Sequence, residues 1–497
     1  MAMPLRRRLL LATPLPAAWM SSVIIHNVYV KFYTDIVGLD SAYVGWVYFF
    51  FNVWNVLNDP VFGVLLDKMR YRPGKGKFLL VMRVTIPFLL LGLILMAWTP
   101  STWSQAAIFT VFLLELFLFD VAATLYLISA TSYVYLAAPT REDRIDVEVA
   151  RAWIGNVISA VATVVATQML VGGAVTERIT INVMLMGVVL VNGAVYVFAA
   201  WRLRDPPELY ESGDGGDAPV DAARLWSDLR SVVRMRAFWA LFFHGLLFMA
   251  PMGIYFTAFL FFMDHVIRSS GTQATIADIG SMATVLLLLP LIARAIKHIG
   301  SRTSLWVAAV PYIGGFTLLL LVATQWYQVL GCYILIMSGR YMVSTSTTAL
   351  DAALIDDNER DTGIRKAGSI ASIRALLTAP VAGVQMVVFM AILTAGGYEA
   401  GAAVQSASAQ EAIRVATAGV PILFALVGLI PLAFLPYSRA REVELSQWSR
   451  DRRPQEGTAV DARVDVPADV PEPDAEPDAE PDADGATTEA PGASGPG

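Results

Sequence analysis

Asn52, Asn55 and Asp59 have the residue types and spacing that suit cation binding. They are three and four residues apart, so a helix places all three side chains on one face. A carboxylate is costly inside the apolar segment that carries Asp59, and it needs a partner or a cavity there. Na⁺ would require several oxygen ligands, whereas H⁺ would require only one carboxylate. We therefore predict a cation site of Asp59, Asn55 and Asn52, with Asp120 as a further acid. The alternative is that Asp59 caps the NDP turn or pairs with a nearby Lys or Arg.

Two arginines in apolar segments could bind an anionic or hydroxyl-rich ligand. Arg151 opens one such segment and Arg374 lies within another. A guanidinium group binds such ligands through two parallel hydrogen bonds, and Thr124, on the same predicted helix face as Asp120, could add a hydroxyl. The alternative for Arg374 is an ion pair that locks one conformation. The sequence offers three acids for that pair: Asp59, Glu115 and Asp120.

All of these residues lie in or beside segments that are long enough to cross a membrane. A membrane helix needs about 20 mostly apolar residues. Twelve such runs are present, at 13–36, 41–66, 77–98, 106–136, 150–172, 181–202, 237–263, 275–296, 303–324, 327–350, 367–394 and 411–436. The sequence therefore predicts an all-α membrane protein with twelve transmembrane helices.

The composition argues against a soluble enzyme. The chain has 497 residues, of which 56% are hydrophobic and 16% are charged, whereas about 25% are charged in soluble domains. Its single cysteine, Cys332, cannot form an internal disulfide, and the sequence contains no metal-binding, phosphate-binding or catalytic motif in a credible context. We predict no enzymatic activity and no cofactor, apart from H⁺ or Na⁺ as a coupling ion.

The distribution of basic residues predicts the orientation in the membrane. Lys and Arg residues precede the first run and follow the even-numbered runs, while the opposite loops carry few. Short cytoplasmic loops retain basic residues during insertion. Both termini are therefore predicted to be cytoplasmic, in a multi-pass protein of the cell (inner) membrane.

A long polar connection at 203–236 divides the chain into two parts with similar loops. For example, LLDKMRYRPGKGK in the first part corresponds to IARAIKHIGSRTS in the second. We predict six-helix bundles at 1–202 and 237–437, joined by a cytoplasmic linker, with a solute site between them at mid-membrane. Residues 438–497 are predicted to be a disordered acidic cytoplasmic tail, because 451–497 contain thirteen acidic and three basic residues.

Motifs in both parts resemble the glycoside-pentoside-hexuronide cation symporters of the major facilitator superfamily, the melibiose permease-like family. They are FYTDIVGL at 32–39, NVWNVLNDPVFGVLLD at 52–67, PGKGK at 73–77, LFDVAATLYL at 118–127 and IDDNERDTGIRKAG at 355–368. The resemblance implies the major facilitator fold and cation-coupled solute transport by alternating access. It also implies that Arg151 faces the substrate.

The same resemblance places further residues in the site, although several differ from the family pattern. Trp19 and Thr131 stand where the family has sugar-binding residues, and Trp19 could stack on a sugar. Asn55 replaces a cation-site acid of the family, so fewer acids are available. Charged loop residues resemble the cytoplasmic gate of the superfamily, and the candidates are Asp67, Lys68, Arg70, Arg144, Arg294 and Glu359.

These observations favour symport of a sugar-like or glycoside-like small solute, driven by H⁺ rather than Na⁺. Two other hypotheses stay open. One is transport of an amphiphilic, lipid-like or secondary-metabolite substrate, and the other is a non-transporting membrane scaffold or sensor. We expect a monomer that contacts the lipid bilayer and a small-molecule substrate, without a nucleic-acid partner.

Overall fold

The described part of the computed structural model is all-helical. It comprises residues 4–72, 76–138, 141–173, 178–204, 232–362, 370, 373–374, 377–378 and 381–452. The helices before the polar connection are α1 (Leu5–Val37), α2 (Ser41–Lys68), α3 (Phe78–Trp98), α4 (Gln105–Ala137), α5 (Arg141–Leu170) and α6 (Arg178–Arg202). We call them the N-terminal helices.

The helices after the connection form a second series, which we call the C-terminal helices. They are α7 (Arg236–Val266), α8 (Gly271–Ile299), α9 (Ser301–Leu321), α10 (Trp326–Thr362), α11 (Val381–Ala395) and α12 (Ala407–Ala433). A further helix, α13 (Arg439–Arg452), follows them.

Nine helices within the described residues are long and apolar enough to cross a membrane. They are α1, the 153–170 part of α5, α3, α4, α6, α7, α8, α9 and α12. Of the remaining predicted spans, α2 has 28 residues, α10 has 37 and the described α11 has 15. The structure thus confirms an all-helical membrane protein, while the count of twelve spans stays a prediction.

Within the described residues, three of the membrane helices contain π-helical turns. In α1 these turns cover Ile24–Tyr29 and Phe32–Val37, and α7 ends in another at Phe262–Val266. The third helix is α12, where the π turn covers Val415–Gly419. Such bulges change the direction in which side chains point and occur often at functional sites. The bulges in α1 and α7 lie beside the charged residues described below.

The N-terminal and C-terminal helices pack closely along α2 and α11. A Cβ atom added to Gly383 of α11 would lie 2.8 Å from Cβ of Asn52, and one added to Gly45 of α2 would lie 2.9 Å from Cβ of Met390. Small residues permit such close approach between membrane helices. A hydrogen bond of 2.7 Å between the hydroxyls of Ser41 and Thr394 also joins this pair of helices.

The α5 and α8 helices form a second contact between the two series. The Thr167 and Thr275 hydroxyls are 2.5 Å apart, and an added Cβ at Gly271 would lie 2.7 Å from the Thr167 carbonyl oxygen. Ser270 begins α8 with a capping box in which its side chain and that of Gln273 bond each other's backbone N–H. The cap fixes the helix start beside α5.

The α13 helix begins inside the segment that was predicted to be a disordered tail from residue 438. Its Glu442 carboxylate accepts hydrogen bonds from the backbone N–H groups of Ser301 and Arg302, at 3.2 and 3.4 Å, and so caps α9. Arg441 pairs with Asp357 of α10 at 2.7 Å. The tail therefore starts with an ordered helix, and its residues 453–497 lie outside the described part.

Candidate functional site

A buried carboxylate organises the polar residues between α2 and α4. Asp120 of α4 is only 2% exposed, and its carboxylate accepts hydrogen bonds from the side-chain amides of Asn55, at 2.7 Å, and Asn58. Thr124, one turn further along α4, donates a hydrogen bond of 3.2 Å to the Asp59 carboxylate. We call these five residues the Asp120 cluster.

The Asp120 cluster contains three of the four residues predicted for the cation site. Asn55, Asp59 and Asp120 come together as expected, but Asn52 does not join them. Its amide donates a hydrogen bond of 2.7 Å to the Tyr48 carbonyl of its own helix, and its Cβ faces Gly383. Asn58 was missed, although its position three residues after Asn55 places it on the same helix face.

A second cluster joins the N-terminal helices to the C-terminal helices. The Lys31 side chain is 1% exposed, and its ammonium group contacts the carboxylates of Asp35 in α1 and, at 2.8 Å, Asp264 in α7. His265 adds its Nε2 atom, 3.1 Å from the Asp35 carboxylate and 3.2 Å from the Lys31 Nζ atom. The Tyr398 hydroxyl completes what we call the Lys31 cluster by bonding Asp35.

Residues of two loops also form hydrogen bonds with the acids of the Lys31 cluster. Tyr398 lies between α11 and α12, where burial and the nearby Asp35 carboxylate raise the pKa of its hydroxyl well above the usual value. The hydroxyl therefore stays protonated and donates to Asp35. The backbone N–H of Gly172, which follows α5, donates a hydrogen bond of 2.9 Å to the Asp264 carboxylate. Four segments of the chain thus meet at one end of the helical bundle.

Three residues of the Lys31 cluster are of the types that ligate metal ions. Ligand atoms of Asp35, Asp264 and His265 all lie within 4.8 Å of one another. The Lys31 ammonium contacts both carboxylates and His265, and so it supplies the positive charge that a metal ion would otherwise bring. We therefore interpret the cluster as an ionic contact between two helices.

A cavity of about 400 Å³ lies between the two series of helices. Its walls come from α1 and α5 on one side and from α7, α8 and α10 on the other, and its polar lining includes Asn27, Thr163, Asp278, Tyr333 and Arg340. We call it the central cavity. A volume of this size suits a small-molecule ligand.

The Lys31 cluster lies one helical turn from the central cavity. Asn27 of the lining is four residues before Lys31 in α1, and Leu260 of the lining is four residues before Asp264 in α7. A spacing of four residues is about one turn, or 6 Å along a helix. The cluster therefore covers one end of the cavity.

Asp278 is the carboxylate in the described lining of the central cavity, and it was not among the residues predicted from the sequence. The hydroxyl groups of Thr163 in α5 and Tyr333 in α10 interact with this carboxylate. Residues of both the N-terminal and the C-terminal helices therefore contact the same acid. The signal was available, since Asp278 falls within the predicted span 275–296 and the cost of an intramembrane carboxylate applies to it as it does to Asp59.

Arg340 provides the positive charge of the cavity. Its guanidinium carbon lies 5.4 Å from the ring centre of Phe256 and 5.6 Å from that of Tyr341. Cation–π contacts of this kind hold an arginine without neutralising its charge. Arg340 was not among the residues predicted from the sequence to form the site.

The predicted substrate-binding residues lie elsewhere in the described structure. Arg374 forms a bidentate ion pair with Asp351 of α10, with 2.6 Å between Nη2 and Oδ1. An ion pair was the alternative prediction for Arg374, but the partner is Asp351 and none of Asp59, Glu115 and Asp120. Arg151 is half-buried in α5, and Thr131 is half-buried in α4. The side chain of Trp19 lies outside the described residues, and the described cavity lining includes none of the other three.

The predicted cytoplasmic gate is described only in part. Arg70 and Arg294 are exposed and Glu359 is half-buried. The side chains of Asp67, Lys68 and Arg144 lie outside the described residues. At this end of the bundle the described ion pairs include Arg360 with Glu444, at 2.6 Å, which joins α10 to α13.

An all-helical chain with a cavity between two series of membrane helices has the architecture of a membrane transporter. A family model described as MFS/sugar transport protein matches residues 10–439, and the chain belongs to this family. The match confirms the resemblance to the melibiose permease-like branch of the major facilitator superfamily. No curated protein sequence matches the chain significantly.

Solved transporter structures share the fold at low sequence identity. The nucleoside transporter NupG is 15% identical, with a TM-score of 0.59 over 87% of this chain and 99% of that one. A POT family transporter, solved in complex with 5-aminolevulinic acid, is 11% identical, with a TM-score of 0.57 over 87% of this chain and 96% of that one. These similarities concern the fold alone.

Proposed function

We propose that this chain is a secondary active transporter that carries a small sugar-like solute together with a cation, H⁺ rather than Na⁺, by alternating access. The observation that carries the proposal is the central cavity, because both series of helices line it and the Lys31 cluster covers one end. Rocking the two series against each other would open that end and close the opposite one.

The proposed orientation has twelve spans, both termini in the cytoplasm and the Lys31 cluster at the outer side of the cell (inner) membrane. The support is the distribution of basic residues, which are concentrated in the loops that follow the even-numbered predicted spans. Lys31 lies near the end of the first span, away from the basic N-terminus. In this orientation the structure has a closed outer side.

H⁺ is favoured over Na⁺ by the hydrogen bonds of the Asp120 cluster. Asn55 and Asn58 use their amide N–H groups as donors to Asp120. The amide nitrogen atoms therefore face the carboxylate. Na⁺ coordination would instead require the amide oxygen atoms to converge with the carboxylate on one ion. Asp59 receives a hydrogen bond from Thr124 and is less buried by protein than Asp120, so it is the better placed of the two acids for proton exchange.

A polar solute is favoured over a lipid-like one by the cavity lining. Asn27, Thr163, Tyr333 and two charged side chains offer hydrogen-bonding groups of both kinds. A sugar-like solute presents hydroxyl groups that both donate and accept. The amphiphile hypothesis would instead require a long apolar surface, and binding of lysolipids in place of polar solutes would favour it.

The test is uptake of radiolabelled sugars and polyols by proteoliposomes under an imposed H⁺ or Na⁺ gradient. We expect Asp59→Asn to abolish accumulation against a gradient while solute exchange persists. Glu411→Gln, which removes an exposed carboxylate at the start of α12, is the matched control and should leave uptake unchanged. Full accumulation by Asp59→Asn would refute this coupling role, and the absence of any flux would refute the transport proposal.

A further inference from the structure

Two oppositely charged side chains face the central cavity without an ionic partner in the described structure. Among the described residues, the hydrogen-bonding contact of Arg340 is Met337 Sδ at 3.9 Å, and its guanidinium also lies against the rings of Phe256 and Tyr341. Among the described residues, Arg340 and Asp278 form no ion pair with each other or with another side chain within 4.0 Å. Arg374 differs, because it has Asp351.

The surroundings of Asp278 contain hydroxyl groups instead of a cation. Thr163 and Tyr333 interact with its carboxylate, and Tyr255 lies close enough to be affected by its charge. The Tyr255 and Tyr333 rings are 5.1 Å apart. The Tyr255 hydroxyl is buried and has no hydrogen-bond partner in the described structure, but Tyr255 is not among the described lining residues and lies behind Tyr333.

Charged side chains inside a membrane protein generally pair with one another or face a route for a polar substrate. Arg340 and Asp278 share one cavity but do not pair directly. Their charges balance, so the cavity as a whole suits a ligand without net charge. A ligand with one positive and one negative group would give each side chain its missing counter-ion.

We propose that the central cavity binds a polyhydroxylated zwitterion, with its acidic group on Arg340 and its ammonium group on Asp278. The inference rests on the proposed transport function and specifies the substrate class of that site. A guanidinium can bind a carboxylate through two parallel hydrogen bonds. Thr163 and Tyr333, which both line the cavity, would then bond hydroxyl groups beside the ammonium.

Neutral sugars and singly charged solutes fit this pair less completely. A neutral polyol gives hydrogen bonds to both side chains but neutralises neither charge. An anionic polyol neutralises Arg340 but adds a second negative charge near Asp278. A cationic polyol neutralises Asp278 but adds a second positive charge near Arg340. Electrostatic complementarity therefore discriminates among solutes of the same size.

The experiment uses four open-chain C6 polyols that differ mainly in charge: sorbitol, gluconate, glucamine and glucosaminate. Binding to the purified full-length protein in lipid nanodiscs is measured by calorimetry near neutral pH. We expect glucosaminate, the zwitterion, to bind roughly tenfold or more tightly than each of the others, since hydrogen bonds between charged groups are stronger than neutral ones. Equal affinities for all four would overturn the proposal.

Two substitutions test the assignment of each group. Asp278→Asn should remove the preference for glucosaminate over gluconate, and Arg340→Met should remove its preference over glucamine. Each variant should keep the other preference, which also shows that it is folded. Loss of both preferences in one folded variant, or retention of both, would contradict the proposed orientation of the ligand.

The outcome separates the ligand class from the transport function. If sorbitol binds and is taken up by proteoliposomes while glucosaminate is not, the zwitterion inference fails and transport stands. If glucosaminate binds as expected but never crosses the membrane, the binding site stands and the transport proposal fails.

Discussion

The Lys31 ammonium of α1 lies 2.8 Å from the Asp264 carboxylate of α7 and joins the N-terminal helices to the C-terminal helices. Lys31 also contacts Asp35 of its own helix. When a buried ion pair loses one partner, the remaining charge stays uncompensated at a cost of about 3–5 kcal/mol. The contact therefore stabilises the arrangement in which this end of the cavity is covered.

We predict that Lys31→Met opens the covered end. The substitution leaves Asp35 and Asp264 facing each other without a cation, so the two helices should separate. A membrane-impermeant maleimide would report the change by labelling Asn27→Cys in a Cys332→Ser background on intact cells. The labelling rate should rise at least about tenfold, given the cost of an unpaired buried charge.

The control for this prediction removes both partners. Lys31→Met with Asp264→Asn leaves fewer unpaired charges, so its labelling rate should fall between those of the wild type and Lys31→Met. Equal labelling of all three proteins would show that the Lys31 contact does not control access to the cavity.

Asn55→Asp should make the protein respond to Na⁺. The new carboxylate would stand 2.7 Å from the position of an Asp120 oxygen and one turn from Asp59, so three acids would converge. Like charges at this distance repel, and a bound cation relieves the repulsion while gaining oxygen ligands. The melting temperature of the variant should be higher in NaCl than in choline chloride at equal ionic strength.

Asn52→Asp is the matched control for Na⁺ binding. Asn52 lies on the same helix, but its amide bonds the Tyr48 carbonyl and its Cβ faces α11, so an acid there adds nothing to the Asp120 cluster. Its melting temperature should show no specific dependence on Na⁺. A Na⁺ response in both variants would mean that the added negative charge, not its position, is responsible.

The sequence predicted the helices well because apolar length and flanking charges are local signals. The run 77–98 corresponds to α3 at Phe78–Trp98, and the run 106–136 corresponds to α4 at Gln105–Ala137. Helical spacing likewise predicted that Asn55 and Asp59 share one face of α2. These inferences need only the period of the helix.

Contacts between distant segments were not predictable in this way. Lys31 and Asp264 are joined by packing between helices, and no spacing rule relates them. Asp351 was missed as the partner of Arg374 because it falls one residue beyond the predicted run 327–350, whereas α10 continues to Thr362. A predicted apolar run ends where charged residues begin, but a helix that is stabilised by tertiary contacts can extend past that point.

Gly383→Ala should destabilise the contact between α2 and α11. The new methyl group would lie 2.8 Å from Cβ of Asn52, which is fixed to the backbone and cannot rotate away. Overpacking of this kind costs about 1–3 kcal/mol. Gly63→Ala in α2 meets no atom within 4 Å and should instead stabilise by about 0.5–1 kcal/mol. Thermal unfolding in detergent measures both, and equal melting temperatures would contradict the close packing.

Acidification should release α13 from α10 through Glu444. Arg360 and Arg441 donate hydrogen bonds to this carboxylate and hold its pKa below the usual value. A depressed pKa means that the contact stabilises the docked helix above the ordinary glutamate pKa of about 4.3 and is lost as the pH falls through the lowered value. Hydrogen exchange of residues 441–445 should therefore accelerate in acid, after correction for the intrinsic rate. Glu444→Gln should show faster exchange at neutral pH and a weaker pH dependence, and an unchanged pH profile in that variant would assign the release to another group.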